Sequence, residues 1–121
     1  MTNKMAVRLA AILGLLAVAL GAFGAHGLKV VLKQHDAAGT WETAVFYHFL
    51  HAVMLFVIAL RRPVQSGPWL SFFAGILLFS GSLYLLALTG ARWLGLITPF
   101  GGVGFLVGWL WLALAAGKSS S

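Results

Sequence analysis

Four apolar blocks, roughly residues 5–24, 43–60, 69–88 and 99–116, fill almost all of this 121-residue chain. Each is close to the ~20 residues that a helix needs to cross a hydrocarbon core of ~30 Å. The polar stretches between them are too short to form a soluble domain. A backbone in hydrocarbon must satisfy its own hydrogen bonds, and continuous apolar blocks of this length do so as helices. The pattern predicts an all-α integral membrane protein, a single four-helix bundle over residues 1–121.

Composition excludes several other classes. Hydrophobic residues make up 61% of the chain and charged ones 8%, against about 25% charged in an average soluble domain. A soluble globule of this size would leave too much apolar surface in water. The net charge of +6 would suggest nucleic acid in a soluble protein. Here the basic residues stand singly or in pairs at block edges, where they meet anionic headgroups. The expected partner is therefore the lipid bilayer and not nucleic acid. Without cysteine, disulfides, thiolate nucleophiles, iron–sulfur clusters and Cys-type zinc sites are excluded. Lys4 and Arg8 before an apolar run, with Ala22 and Gly24 at −3 and −1 of a cleavage point, also fit a secretory leader. The first block is read instead as a retained transmembrane helix.

Basic residues at span ends bias orientation towards the cytoplasm. Lys4, Arg8, Arg61, Arg62 and Lys118 share one side; Lys29, Lys33 and Arg92 share the other. This predicts cytoplasmic termini. Trp41, Trp69 and Trp93 fall at span ends, where indole rings favour the headgroup level. In the first loop, Leu28, Val31 and Leu32 make an apolar helical face opposite Lys29 and Lys33. That suits a short interfacial helix ending near Gly39, with His35 solvated in its polar tail. Pro63, Gly67 and Pro68 read as a tight turn. Thr98-Pro99 reads as an N-cap followed by proline at the first helical position. The polar residues 119–121 read as a frayed tail.

Lipid supplies no hydrophobic drive between helices, so small residues must allow close packing. Gly14 and Gly21 on the first helix, Gly75 on the third, and Gly104 and Gly108 on the fourth are the expected contact points, with Gly101 beside the last pair.

The second block carries the informative chemistry. At about 100° per residue, Thr43, Tyr47 and His51 fall in one narrow arc, with His48 about 60° further round. This seam is expected to face the bundle interior, leaving Val45, Phe46 and Phe49 outside, because an ionisable side chain deep in hydrocarbon is costly. His26, at the end of the first span, lies on the same side of the membrane. The leading reading has these groups hydrogen-bonding to neighbouring helices, such as the one bearing Ser80 and Ser82. A proton-responsive or solute-binding site is second. A metal or haem site using His26, His48 and His51 is third, and no deep carboxylate completes it. No cofactor or metal is therefore expected. Glu42 and Arg92, both at the outer end, form a candidate ion pair.

Gly21-Ala22-Phe23-Gly24-Ala25-His26-Gly27-Leu28, Trp41-Glu42-Thr43-Ala44-Val45, Tyr47-His48 and His51-Ala52 form an ordered set. Gly81-Ser82-Leu83-Tyr84 through Thr89-Gly90 and Ile97-Thr98-Pro99-Phe100-Gly101-Gly102 extend it. Together they resemble the YgdD/transmembrane-protein-256 family of small membrane proteins (domain of unknown function 423). The resemblance implies a multi-pass protein of a bacterial inner membrane and brings no established reaction, substrate or cofactor. The function expected is structural, accessory or partner-binding, in a homo-oligomer or a larger membrane complex. A small oligomeric transporter or channel with a His/Tyr seam is the alternative. An enzyme ranks third, since no nucleophile–base pair or phosphate-cradling loop is visible.

Overall fold

A computed structural model describes residues 1–117; Lys118 and the serine tail, both used in the sequence reading, lie outside the described residues. Helices follow in the order α1 (Asn3–Ala25), α2 (Lys29–Gln34), α3 (Ala38–Ala59), α4 (Ser66–Gly75), α5 (Gly81–Thr89) and α6 (Thr98–Ala116). A π-helical turn, Ile76–Ser80, joins α4 to α5, and a 3-10 turn, Arg92–Leu96, leads into α6. Four continuous helices are long and apolar enough to cross a membrane: Asn3–Ala25, Ala38–Ala59, Ser66–Thr89 and Arg92–Ala116. The four-span, all-helical architecture is as the sequence reading expected.

The boundary of the first loop differs from expectation for a local reason. The interfacial helix α2 ends at Gln34 rather than near Gly39, and α3 begins at Ala38, five residues before the expected start. Asp36 takes the left-handed conformation (φ 48°). That lets the Ala37 N–H donate to the Leu32 carbonyl (2.8 Å) and the Asp36 N–H to the Lys33 carbonyl (3.1 Å). This is the Schellman pattern, here with aspartate at the position usually held by glycine. Leu32 and Ala37 are both buried in one apolar cluster with Trp41 and Ala87, so the turn is sealed by packing as well as by its hydrogen bonds.

Two further local differences concern proline and threonine. Pro68 lies in the first turn of α4, where its missing N–H costs nothing. Thr98 is the first residue of α6 rather than its cap, and its hydroxyl is shared with Ser82 Oγ at 2.6 Å.

Glycine and alanine set how closely the helices approach. Ala6, Ala10 and Ala17 are the buried positions of α1, which packs along α3. On the other side of the bundle, a β-carbon at Gly104 would lie 3.1 Å from the Ser71 carbonyl and 3.3 Å from Gly75 Cα. One at Gly75 would strike the Phe105 ring, and one at Gly108 the Phe72 ring. Gly21 is a snug contact, 3.3 Å from Val45 Cγ1. Gly14 departs from expectation: nothing lies within 4 Å of a β-carbon there, because it sits to the side of the Ala10–Ala17 line. The tightest site is Gly101, where a β-carbon would land on the backbone of Phe79. There the π-turn swells the third span against α6, and the Ser82 hydroxyl donates to the Phe79 carbonyl at 3.0 Å.

Of the three tryptophans at span ends, two face into the bundle. Trp69 is 1% exposed in a cluster with Leu55, Phe72 and Phe105, and Trp41 is 3% exposed. Trp41 covers Gly24 and donates its indole N–H to the Leu20 carbonyl at 2.8 Å. Its place is fixed by a protein acceptor and a side-chain-free patch on α1. Only Trp93 of the three faces outward, at 62% exposed. At the opposite end, the Asn3 amide donates to the carbonyls of Ala59 (3.0 Å) and Arg61 (2.7 Å). The start of α1 is thus tied to the second loop, while the His35 ring rests on Gly90 beside the third.

These contacts separate two glycine substitutions. Gly101→Val should lower thermal stability in detergent strongly, since overpacking against fixed backbone costs about 1–3 kcal/mol or more. Gly14→Ala should leave the melting temperature unchanged or slightly raised, because alanine favours the helix. Equal losses at both positions would contradict the packing described.

Candidate functional site

The inward stripe of α3 runs Trp41, Ala44, His48, His51, Ala52, Leu55, Ile58 and Ala59. Steps of three and four place these residues on one face. Two apolar clusters occupy its ends, one around Trp41 and one around Leu55, Ile58 and Ala59. Between them the interior is polar. His48 is 4% and His51 2% exposed, and Ser80 and Ser82 are also buried.

Each polar group of this layer reaches across to another helix. The Ser80 hydroxyl donates to the Ala44 carbonyl at 2.8 Å, bringing the π-turn against α3. His48 Nδ1 is 2.8 Å from the Tyr84 hydroxyl on α5, and the Tyr84 ring packs on Trp41 with centroids 4.8 Å apart. His48 Nε2 is buried and makes no hydrogen bond of good geometry among the described residues, although the Leu13 backbone of α1 interacts with the ring.

His51 has a defined tautomer. The Trp109 indole N–H on α6 donates to His51 Nε2 at 3.1 Å. Indole nitrogen can only donate, so Nε2 must be the bare acceptor. Nδ1 then carries the proton and donates to the Tyr47 carbonyl one turn back, at 2.8 Å. Both nitrogens of the neutral ring are used. A second proton would set N–H against N–H at Trp109. The ring is further clamped by Phe105, stacked at 3.7 Å and 10°, and by Phe72 edge-on at 5.0 Å.

The structure brings together only part of the expected seam. His48 and His51 are interior, and Phe46 and Phe49 face outward at 59% and 45% exposed. Thr43 is exposed, and Tyr47 is 38% exposed, so the inward stripe is centred on His48 rather than on the Thr43–Tyr47–His51 arc. The reason is close packing. Ala44, Ala52 and Ala59 are the positions where a neighbouring helix can approach α3, and they share a face with His48. Tyr47 lies at the edge of that face, with its ring against Phe79 (4.8 Å between centroids) and Phe46 (5.4 Å).

His26 is exposed on the end of α1, away from His48 and His51. Among the described residues no group of three His, Cys, Asp or Glu side chains could hold a metal ion. Glu42 and Arg92 form no ion pair and both are exposed. Glu42 opens onto a groove of Gly21, Gly24, Val45 and Phe46 between α1 and α3. Arg92 begins the turn after α5, which packs on the opposite flank of α3. Sequence reasoning missed Tyr84 and Trp109 as histidine partners. The alanine spacing 44, 52, 59 was the available signal for the true inward face.

A family model described as "Protein of unknown function (DUF423)" matches residues 20–102. The UPF0382 membrane protein YwdK of Bacillus subtilis is 48% identical, covering 95% of this chain and 98% of that protein. A UPF0382 membrane protein of Staphylococcus epidermidis is 47% identical over 95% of this chain and 97% of its own length. One from Haemophilus influenzae is 40% identical over 100% of this chain and 99% of its own. No solved structure matches.

His51→Leu and Trp109→Phe should each leave a folded protein with modestly lower thermal stability. The double variant should cost less than the sum, with a coupling of roughly 0.6–1.7 kcal/mol. Nitrogen-15 NMR should show an unprotonated Nε2 and a protonated Nδ1 at His51; the reverse would remove the Trp109 bond. Glu42→Ala and Arg92→Ala should be strictly additive in melting temperature, since no contact couples them.

Proposed function

The chain belongs to the DUF423 family of membrane proteins, and from that premise we propose that it serves as a structural or accessory, partner-binding protein of the bacterial inner membrane. The observation that carries this reading is how the polar interior is used. Ser80, Ser82, His48 and His51 bind Ala44, Thr98, Tyr84 and Trp109 across helix interfaces, so they fasten helices together. Meanwhile α1 and α6 turn most of their length outward, as at Leu15, Leu106 and Phe100, each 70% exposed. Such lipid-facing surface is what a second copy or a larger membrane complex would cover. In this reading the protein catalyses no reaction of its own.

The basic residues support cytoplasmic termini. Lys4, Arg8, Arg61 and Arg62 lie at the end where Asn3 meets the second loop, and Lys29, Lys33 and Arg92 at the other. The positive-inside bias then puts the α1 start and the second loop in the cytoplasm.

Two measurements test these points. Solubilised from native membranes in mild detergent, the protein should run in an assembly well above its 12.9 kDa mass and co-purify with a defined partner or with itself. A lone monomer, or solute flux when it is reconstituted into liposomes, would overturn the accessory role. Reporters fused at the C-terminus should be active in the cytoplasm; periplasmic activity would reverse the topology.

A further inference from the structure

Charge is divided unequally between the two ends of the bundle. The Asn3 amide on the Ala59 and Arg61 carbonyls gathers Lys4, Arg8, Arg61 and Arg62 at one end. The chain's only two acidic side chains, Asp36 and Glu42, lie at the other. From Glu42 to Ala59 the helix α3 runs roughly 25 Å at ~1.5 Å per residue, well beyond the ~8 Å over which exposed charges act in physiological salt. Lys4 and Arg8 are exposed and make no hydrogen bond or ion pair among the described residues. Arg61 Nη1 donates to Gln65 Oε1, a neutral acceptor, at 3.0 Å. The counter-charge of this end must come from outside the chain's side chains.

Two of these cations share a surface with apolar residues. Lys4 and Arg8 are four apart, so their β-carbons lie ~6 Å from one another on one face of α1, and both side chains can reach a single phosphate. With Thr2, Met5, Leu9 and Ile12 they line an open groove of about 430 Å³. Met5 and Ile12 are 54% and 51% exposed, and Leu15 and Leu16 continue the apolar track at 70% and 45%. At ~100° per residue, Arg8, Ile12, Leu15 and Leu16 stay within about 100° of arc. The cations therefore stand at the head of an unbroken apolar strip.

From this pairing we infer that the groove holds a phospholipid whose headgroup is net negative, its phosphate between Lys4 and Arg8 and one acyl chain along Ile12, Leu15 and Leu16. Charge selects the headgroup. A zwitterionic lipid brings its own cation into a patch that already holds Arg61 and Arg62, whereas an anionic one brings only the missing charge. The apolar strip selects a lipid over a free phosphate, which would leave Met5 and Ile12 uncovered. A second copy inserted in the same orientation would present the same four cations at this level and be repelled. The selection is the same whichever side of the membrane this end faces.

The full chain, stripped of lipid in mild detergent, is titrated with phosphatidylglycerol and with phosphatidylethanolamine of identical acyl chains, and bound lipids are counted by native mass spectrometry. One phosphatidylglycerol per chain should bind about tenfold more tightly than phosphatidylethanolamine, and the preference should shrink as salt is raised. Lys4→Gln and Arg8→Gln should each weaken phosphatidylglycerol binding about fivefold, the weight of one basic residue beside an anionic surface. Arg8→Lys should keep most of the affinity, and Lys29→Gln, at the other end, all of it. Because the replaced side chains are exposed and unpartnered, lipid-free melting temperatures should match wild type. Equal affinity for the two lipids, or undiminished binding in both glutamine variants at residues 4 and 8, overturns the proposal. An equal loss in Lys29→Gln would trace the preference to net charge and overturn the site. Displacement by inorganic phosphate at concentrations near that of the lipid overturns the assignment to a lipid.

Discussion

Hydrocarbon offers a polar side chain nothing to bind, so every such group in the membrane must find its partner within the protein or forfeit the bond. The arrangement of this bundle follows from that constraint. Ser80 is satisfied by the Ala44 carbonyl, Ser82 by Thr98, His48 by Tyr84 and His51 by Trp109. Each bond crosses between helices, and most converge on α3. Such bonds average only ~0.6 kcal/mol, which is small beside the cost of leaving the groups unpaired. Their principal effect is on geometry: they fix the rotation of each helix about its axis.

Close approach does the rest. Gly75, Gly101, Gly104 and Gly108 let α4, the π-turn and α6 meet backbone to backbone or backbone to ring. The extra residue of the π-turn pushes Phe79 towards α6, and Gly101 is the position able to receive it. Ala6, Ala10 and Ala17 play the same part for α1. Large aromatic side chains then fill what the small ones leave open. Phe72 and Phe105, for instance, bracket His51.

The spans and the interfacial helix were legible in the sequence because length and hydropathy are set by bilayer thickness, a constraint acting on each segment alone. The outward placing of Phe46 and Phe49 was legible for a similar reason. Helix rotation was read about 100° off, the step from Tyr47 at the middle of the expected arc to His48, since a polarity count cannot see that Ala44 and Ala52 mark the face a neighbour approaches. That Trp41 turns into the bundle was not legible, because the Leu20 carbonyl and the bare patch at Gly24, which draw it inward, belong to a different helix. The expected Glu42–Arg92 pair failed on the same ground. Both residues were expected at the outer end, yet Glu42 opens onto the α1–α3 groove while Arg92 starts the turn after α5, and level alone is what sequence reports. The π-turn left no mark in hydropathy, because the shift of one residue does not change which residues are apolar.

The fastenings of α1 carry an implication for biosynthesis. Apart from its alanine face, α1 is held by the Asn3 amide on Ala59 and Arg61 and by the Trp41 indole on the Leu20 carbonyl. Every one of these partners belongs to α3 or to the residues immediately after it. Once the ribosome has released residue 61, the first two spans own everything needed to clasp one another. They can leave the translocon as a finished hairpin, on which the later, glycine-rich pair is then laid.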